Sequence, residues 1–313
     1  MIRTIIVPTD GSDFAEHALP LAIATARRTD ARLELIRVHE PPPPPISPDV
    51  LLPGDALQRW DEAIREAERD SLAKLRQRVR DSTGLDPEAL LADGIVEEAL
   101  ADRIAAAADP LVVISSHGRG GLARAWLGSV ADGLVRRVRA PLIVVRPHER
   151  AVAFDQAPPV RRMLVPLDGS STAERVLGAV VDLARAWEAN ATLLIVLFPL
   201  WMSDRKEEAE LAGTSRVSAI REAAANYLGG VAEELRGNGV EADVEIVVDS
   251  NPASAILKFA ADHDIDLLAL ATHGRGGAER VYMGSVADKV RRGAPMPVLM
   301  VNAGPEVSPA EPG

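Results

Sequence analysis

Residues 112–121 read Val-Val-Ile-Ser-Ser-His-Gly-Arg-Gly-Gly, and Gly128-Ser129-Val130-Ala131-Asp132 follows shortly after. A short, unbroken apolar run is what a parallel strand buried on both faces requires. A glycine-rich turn and then a helix start place the stretch in an open α/β sheet. The stretch occurs twice. Residues 268–277 read Leu-Ala-Leu-Ala-Thr-His-Gly-Arg-Gly-Gly, and Gly284-Ser285-Val286-Ala287-Asp288 follows, both 156 residues later. Aligned without gaps, residues 114–145 and 270–301 are identical at 14 of 32 positions. The opening Val7-Pro8-Thr9-Asp10-Gly11-Ser12 returns 158 residues later as Val165-Pro166-Leu167-Asp168-Gly169-Ser170. The period is far longer than a solenoid repeat, so the duplicated units are whole domains.

The units are expected at 1–146 and 161–301. The linker at 147–160 is polar, with prolines at both ends, and the tail 302–313 is expected to be disordered. In the first unit the pattern predicts strand 3–8, helix 13–29, strand 32–38, helix 55–81, strand 88–92, helix 96–107, strand 111–115, helix 129–138 and strand 141–145. The long helix shows an apolar stripe of Leu57, Trp60, Ile64, Ala67, Ser71 and Leu75, matched in the second unit by Val217, Ile220, Ala224, Tyr227, Val231 and Leu235. Five strands alternating with helices predict a parallel sheet covered on both faces.

The 313 residues carry 46 Asp and Glu against 35 Lys and Arg, a net charge of −11. That balance argues against nucleic acid and anionic membrane as partners. Hydrophobic residues make up 47% and aromatics 3%, so the cores must be aliphatic. The absence of cysteine excludes disulfides, thiol nucleophiles and cysteine zinc sites, and is compatible with a cytoplasmic address. No apolar run reaches the length of a membrane span, and the N-terminus reads as a first strand rather than a signal peptide.

Ligands of open α/β sheets bind beyond the carboxyl ends of the strands. The candidate residues therefore follow strands. Gly128-Ser129 and Gly284-Ser285 open helices, where unpaired N–H groups and the helix dipole suit a phosphate. The pairs Ser129/Asp132 and Ser285/Asp288 equally fit a capping box. Asp10 and Asp168 fit either a ribose or base acceptor or a carboxylate favouring a helix start. Gly118, Gly120 and Gly121 fit a ligand loop or a flexible turn. Arg119 and Arg275 fit a phosphate contact or a solvated surface. His117 and His273 stand alone, with no second ligand at metal spacing, and read as structural. Trp126 and Tyr282 match each other as packing residues. The run Pro41–Pro45 is a stiff extended segment that fits a ligand for a proline-binding module or, since the second unit has nothing like it, a rigid loop over the mouth of the site.

The glycine pattern resembles that of the universal stress protein family. Its nucleotide-binding members carry Gly, two residues, Gly, nine residues, then Gly and Ser or Thr. The first unit has Ser115, Gly118, Gly128 and Ser129 at these positions, and the second has Ala271, Gly274, Gly284 and Ser285. The opening Val-Pro-Xaa-Asp-Gly-Ser also resembles the family, and the resemblance spans both units. It implies strand order 3-2-1-4-5 in each unit, an adenine nucleotide alpha-hydrolase-like fold, and ATP, with or without Mg²⁺, between the first and fourth strands. Asp10 and Asp168 would meet ribose and base, and the backbones of Val38 and Val196 the adenine. Gly118, Gly128 and Ser129 would cradle the phosphates, as Gly274, Gly284 and Ser285 would in the second unit. Ser115 and Ala271 depart from the pattern, each adding a Cβ where the family has glycine. It further implies a last-strand pairing, here of 141–145 with 297–301 inside one chain, a covalent pseudo-dimer with room for a further homodimer.

The functional expectation is a nucleotide-binding regulatory module of stress response. No catalytic residue and no metal ligand stands out. Neither a Gly-x-x-x-x-Gly-Lys-Ser/Thr loop nor the His-Ile-Gly-His or Ser-Gly-Gly-x-Asp-Ser signatures of related enzymes occur, so at most slow ATP hydrolysis is expected. The alternative is an interaction protein of the same fold that binds no nucleotide.

Overall fold

The apolar runs form strands, and their order follows from pairing. In the computed structural model, residues 1–41, 55–116, 128–148, 151–199, 209–272 and 285–304 are described. The chain divides into two compact units, Met1–Leu134 with Leu142–Pro158, and Val135–Pro141 with Pro159–Gly313.

The first repeat runs β1 (Thr4–Pro8), α1 (Asp13–Glu16), α2 (Leu19–Thr29), β2 (Arg32–His39), α3 (Ala56–Thr83), β3 (Glu88–Asp93), α4 (Val96–Ala106), β4 (Pro110–Ser115), α5 (Ser129–Arg137) and β5 (Leu142–Val145). All its strand pairs are parallel, in the order β3-β2-β1-β4-β5. The second repeat runs β6 (Arg162–Pro166), α6 (Ser171–Glu174), α7 (Leu177–Trp187), β7 (Asn190–Leu197), α8 (Ala209–Gly237), β8 (Ala242–Val248), α9 (Pro252–Asp262), β9 (Leu267–Thr272), α10 (Ser285–Gly293) and β10 (Val298–Asn302). Its order, β8-β7-β6-β9-β10, repeats the first, again all parallel. Central strands such as Thr4–Pro8 are buried at every position, as a sheet covered on both faces demands.

Four local features differ from the expectation. The helix over 13–29 is broken into α1 and α2. Pro20 stands at the start of α2, where a helix running through would lose a bond and clash with the preceding turn. The same break recurs between α6 and α7 with Gly178 at the matching position, the next poorest helix former. Second, α3 is rotated relative to the apolar stripe. Leu72, Leu75 and Val79 are buried, while Ala67 is exposed and Trp60 is 53% exposed. In its first half α3 presents Asp61 and Glu68 to β2, because His39 and Arg37 there need acceptors. Among the described side chains of α8 the buried ones are Ala224, Leu228, Val231, Ala232 and Leu235. The side chain of Val217 lies outside the described residues. Third, the linker packs on its own unit. Phe154 is buried under the Arg78 guanidinium, 5.4 Å from the ring centre, and the His148 ring meets His17 edge-on at 4.5 Å. Fourth, Asn302 still belongs to β10, and residues 305–313 lie outside the described residues.

The rotation of α3 predicts an asymmetric response to truncation. Leu75→Ala is expected to cost unit 1 roughly 2–5 kcal/mol in urea unfolding, whereas Trp60→Ala is expected to cost under about 1 kcal/mol.

Candidate functional site

The sheet order reverses between β1 and β4, which lie side by side. The amide of Thr9 donates to the Ile36 carbonyl at 2.8 Å, the last bond from β1 to β2. Alternate residues of a strand bond to the same side. The N–H and C=O of Val38 therefore face the β1 side, one step beyond that last bond. His39 faces the other way, and its carbonyl accepts from the Gly94 amide at 3.1 Å. The second unit repeats the arrangement. Leu167 donates to Leu194 at 2.8 Å, Leu197 accepts from Asp249 at 3.0 Å, and Val196 is left facing the β6 side.

Beyond β1 the chain turns through Gly11 at φ 78°, and beyond β6 through Gly169 at φ 82°. This left-handed conformation is costly for other residues. The turn aims Asp10 back onto its own loop. Its Oδ1 accepts from the Ser12 amide at 2.9 Å and the Ser12 hydroxyl at 2.6 Å. Ser12 Oγ in turn accepts from Ala15 N–H at 3.3 Å and caps α1. Asp168, Ser170 and Ala173 repeat this clamp at 3.0, 2.6 and 3.1 Å. Asp10 is half-buried and Asp168 exposed.

At the end of β4, Ser115 and Ser116 are buried. The Gly128 amide donates to the Ser116 carbonyl at 2.6 Å, so the chain returns to the strand it left. The Gly128 carbonyl accepts from Asp132 N–H at 3.0 Å. Gly128 is thus the cap of α5, and Ser129, whose side chain is exposed, sits in the first turn. The capping-box alternative needs Ser129 at the cap, and this bond puts Gly128 there. At α10 the Asp288 carboxylate is turned to its own helix, accepting from Arg291 Nε at 2.9 Å and Arg292 Nε at 2.8 Å. Burial pushes its pKa up, but these two arginines hold it below the usual carboxylate range. Ala271, half-buried, pairs with Val301 as Ser115 pairs with Val145.

Asp10, Val38, Ser115, Gly128 and Ser129 therefore lie at one end of one sheet. Asp168, Val196, Ala271 and the start of α10 at Ser285 do so in the second. Gly118, Arg119, Gly274, Arg275 and Gly284 lie outside the described residues, as do His117, His273, Trp126, Tyr282 and Pro42–Pro45. Sequence reasoning did not single out the cleft of about 680 Å³ at the ends of β2 and β3, whose described lining is Glu40, Pro41, Gly94 and Ile95. Its one visible signal was the glycine of Asp93-Gly94. Tyr227 was read only as packing. Its hydroxyl donates to Glu174 at 2.8 Å. Burial, that bond and nearby Asp168 push the phenol up, so it remains a donor. The matching Glu16 is instead paired with the Arg78 cation. Among the described residues no group of three or more His, Asp or Glu is placed to hold a metal ion, and no helix is long and apolar enough to cross a membrane.

A profile of the Universal stress protein family matches residues 1–146 and 159–302. A universal stress protein of Mycobacterium tuberculosis is 31% identical over 198 residues, 61% of this chain and 61% of that protein. The match thus spans less than two thirds of that relative's length. One of Mycolicibacterium smegmatis is 27% identical over 310 residues, 95% of this chain and 96% of the relative. In structure, a universal stress protein of Archaeoglobus fulgidus is similar across 96% of this chain and 98% of its own, with a TM-score of 0.66 at 19% identity.

Ser12→Ala removes both the cap of α1 and the hydroxyl donor to Asp10, leaving the backbone amide donor in place. It is expected to cost about 1 kcal/mol, read as a lower thermal midpoint of unit 1, with Ser170→Ala doing the same to unit 2.

Proposed function

The chain belongs to the universal stress protein family, and we propose that it is a cytoplasmic regulatory module that binds adenine nucleotide, ATP with or without Mg²⁺, at the strand ends of each unit. The observation that carries this reading is the main-chain edge of Val38, left beyond the last bond from β1 and beside the clamped Asp10. An adenine ring is recognised by a donor and an acceptor side by side, and one strand residue supplies both. A carboxylate suits ribose hydroxyls, and the exposed Ser129 hydroxyl at the start of α5 suits a phosphate. Gly118, Gly128 and Arg119 complete the phosphate side in this reading, with Ser115 at its edge. Asp168, Val196, Ala271, Gly274, Arg275, Gly284 and Ser285 take the same parts in unit 2. Unit 1 is the stronger site in this reading, because Arg78 neutralises Glu16 whereas Tyr227 leaves the charge of Glu174 in place.

Occupancy would stabilise each unit by mass action and so make the nucleotide pool readable as partner affinity. No residue is assigned a catalytic step. The net charge of −11 keeps nucleic acid and anionic lipid out of the reading. The pairing of 141–145 with 297–301, and a homodimer of whole chains, belong to it on the strength of the duplication alone. A specific observation favours a second reading, an interaction protein without nucleotide: the Gly128 amide and Asp10 Oδ1 already have partners within the chain.

Calorimetric titration of ATP with Mg²⁺ into nucleotide-stripped protein separates the two. Binding is expected with a stoichiometry near one or two, with Gly128→Glu and Asp10→Ala removing the unit 1 site and Gly284→Glu the unit 2 site. No heat, no thermal shift and no nucleotide carried through purification would sink the first reading in favour of the second.

A further inference from the structure

His39, at the end of β2, is fully buried and sits between two carboxylates of α3. Its Nδ1 lies 2.7 Å from Glu68 Oε2 and its Nε2 2.9 Å from Asp61 Oδ1. Glu68 also accepts from Arg37 at 3.1 Å. Arg65, on the turn between them, pairs with Asp93 of β3 at 2.5 Å and reaches Asp61 at 3.8 Å. The described charged groups around the ring are thus Arg37 from β2, Asp61, Arg65 and Glu68 from α3, and Asp93 from β3. With the ring protonated, three cations meet three anions. A neutral imidazole has one N–H, so one of the two carboxylates would face a lone pair and lose its donor from the buried ring. Burial pushes the ring's pKa down, but the hydrogen bonds with Asp61 and Glu68 carry it above its ordinary value of 6.5.

The cluster adjoins the site already described. Val38 is the preceding residue, and the His39 carbonyl holds Gly94, which lines the cleft with Glu40, Pro41 and Ile95. At the matching place unit 2 has Leu197, whose side chain cannot ionise and whose carbonyl makes the same kind of main-chain bond, with the Asp249 amide. We infer that His39 is a positioning residue through which unit 1, and not unit 2, loses affinity for adenine nucleotide as pH rises, because deprotonation releases α3 from the strand end that presents Val38. This rests on the nucleotide reading above.

The direction follows from linkage. A ring whose pKa is raised by folding lends its full stabilisation below 6.5 and loses it as pH climbs through the raised value. The responsive window therefore lies above the ordinary histidine range.

The test uses the full chain. Imidazole resonances are followed by NMR in nucleotide-free protein, with His39→Gln assigning the peak, alongside amide protection in residues 56–68. ATP is then titrated by calorimetry across pH 6–9 into Gly284→Glu, which isolates unit 1, and Gly128→Glu, which isolates unit 2. Unit 2 reports the nucleotide's own titration. The expected result is a His39 pKa above the ordinary value and a loss of protection through it. The unit 1 Kd should weaken roughly five-fold or more relative to unit 2, and His39→Gln and His39→Leu should abolish the difference. An ordinary or lowered His39 pKa, or a pH profile unchanged in both variants, overturns the inference while ATP binding persists. No ATP binding at any pH, with His39 titrating high, overturns it together with the nucleotide reading, and so marks that failure as the other one.

Discussion

Everything at the functional end of this sheet depends on where β1 stops. The Thr9 amide makes the final bond to Ile36, and β2 runs on for three more residues, paired in the sheet with β3 alone. A strand that outlasts its neighbour leaves main-chain groups pointing into the gap. The gap is where the chain turns at Gly11, where Asp10 is folded back by Ser12, and where Val38 shows its edge. The overhang is made again at Leu167 and Leu194, so the duplication copied the opening itself along with the strands around it.

The fold was largely legible because parallel strands buried on both faces have little freedom of composition. Runs such as Leu111–Ile114 can hardly be anything else. The break between α1 and α2 was less legible, since the pattern on either side is continuous and only Pro20 and Gly178 mark it. The rotation of α3 was not legible at all. Its first half turns polar residues inward to meet His39 and Arg37, which lie 22 to 31 residues away in the chain. An apolar stripe cannot register a helix that is held by charge. Asp10, Ser115, Gly128 and Ser129 could be placed after strand ends from the pattern of runs, while the strand order and the part of Val38 came from the family resemblance. The cleft beside Gly94 and Ile95 carried no motif beyond one glycine.

The two units share a framework and differ at its rim. Glu16 meets a guanidinium where Glu174 meets a phenol. The turn after β3 uses Gly94 at φ 117°, whereas after β8 Asn251 caps α9 and Asp249 Oδ1 accepts the Asn251 amide at 2.7 Å. Such changes leave the ladder untouched and alter only the charge and shape that a ligand would meet. A framework fixed by main-chain bonds can carry two rims of different chemistry.

The charge cluster at His39 also constrains how the sequence can drift. Replacing one of the buried members, such as Arg37 or Glu68, leaves a counter-charge without its partner in a place short of water, a change that typically costs about 3–5 kcal/mol, whereas exchanging the whole buried set for apolar residues is close to neutral. Intermediates between the ionic arrangement of the first repeat and the leucine of the second are therefore less fit to fold than either end. The His39 set forms a small genetic island, reached or left only by several coordinated substitutions, and after duplication the two copies could not readily convert into one another by single steps.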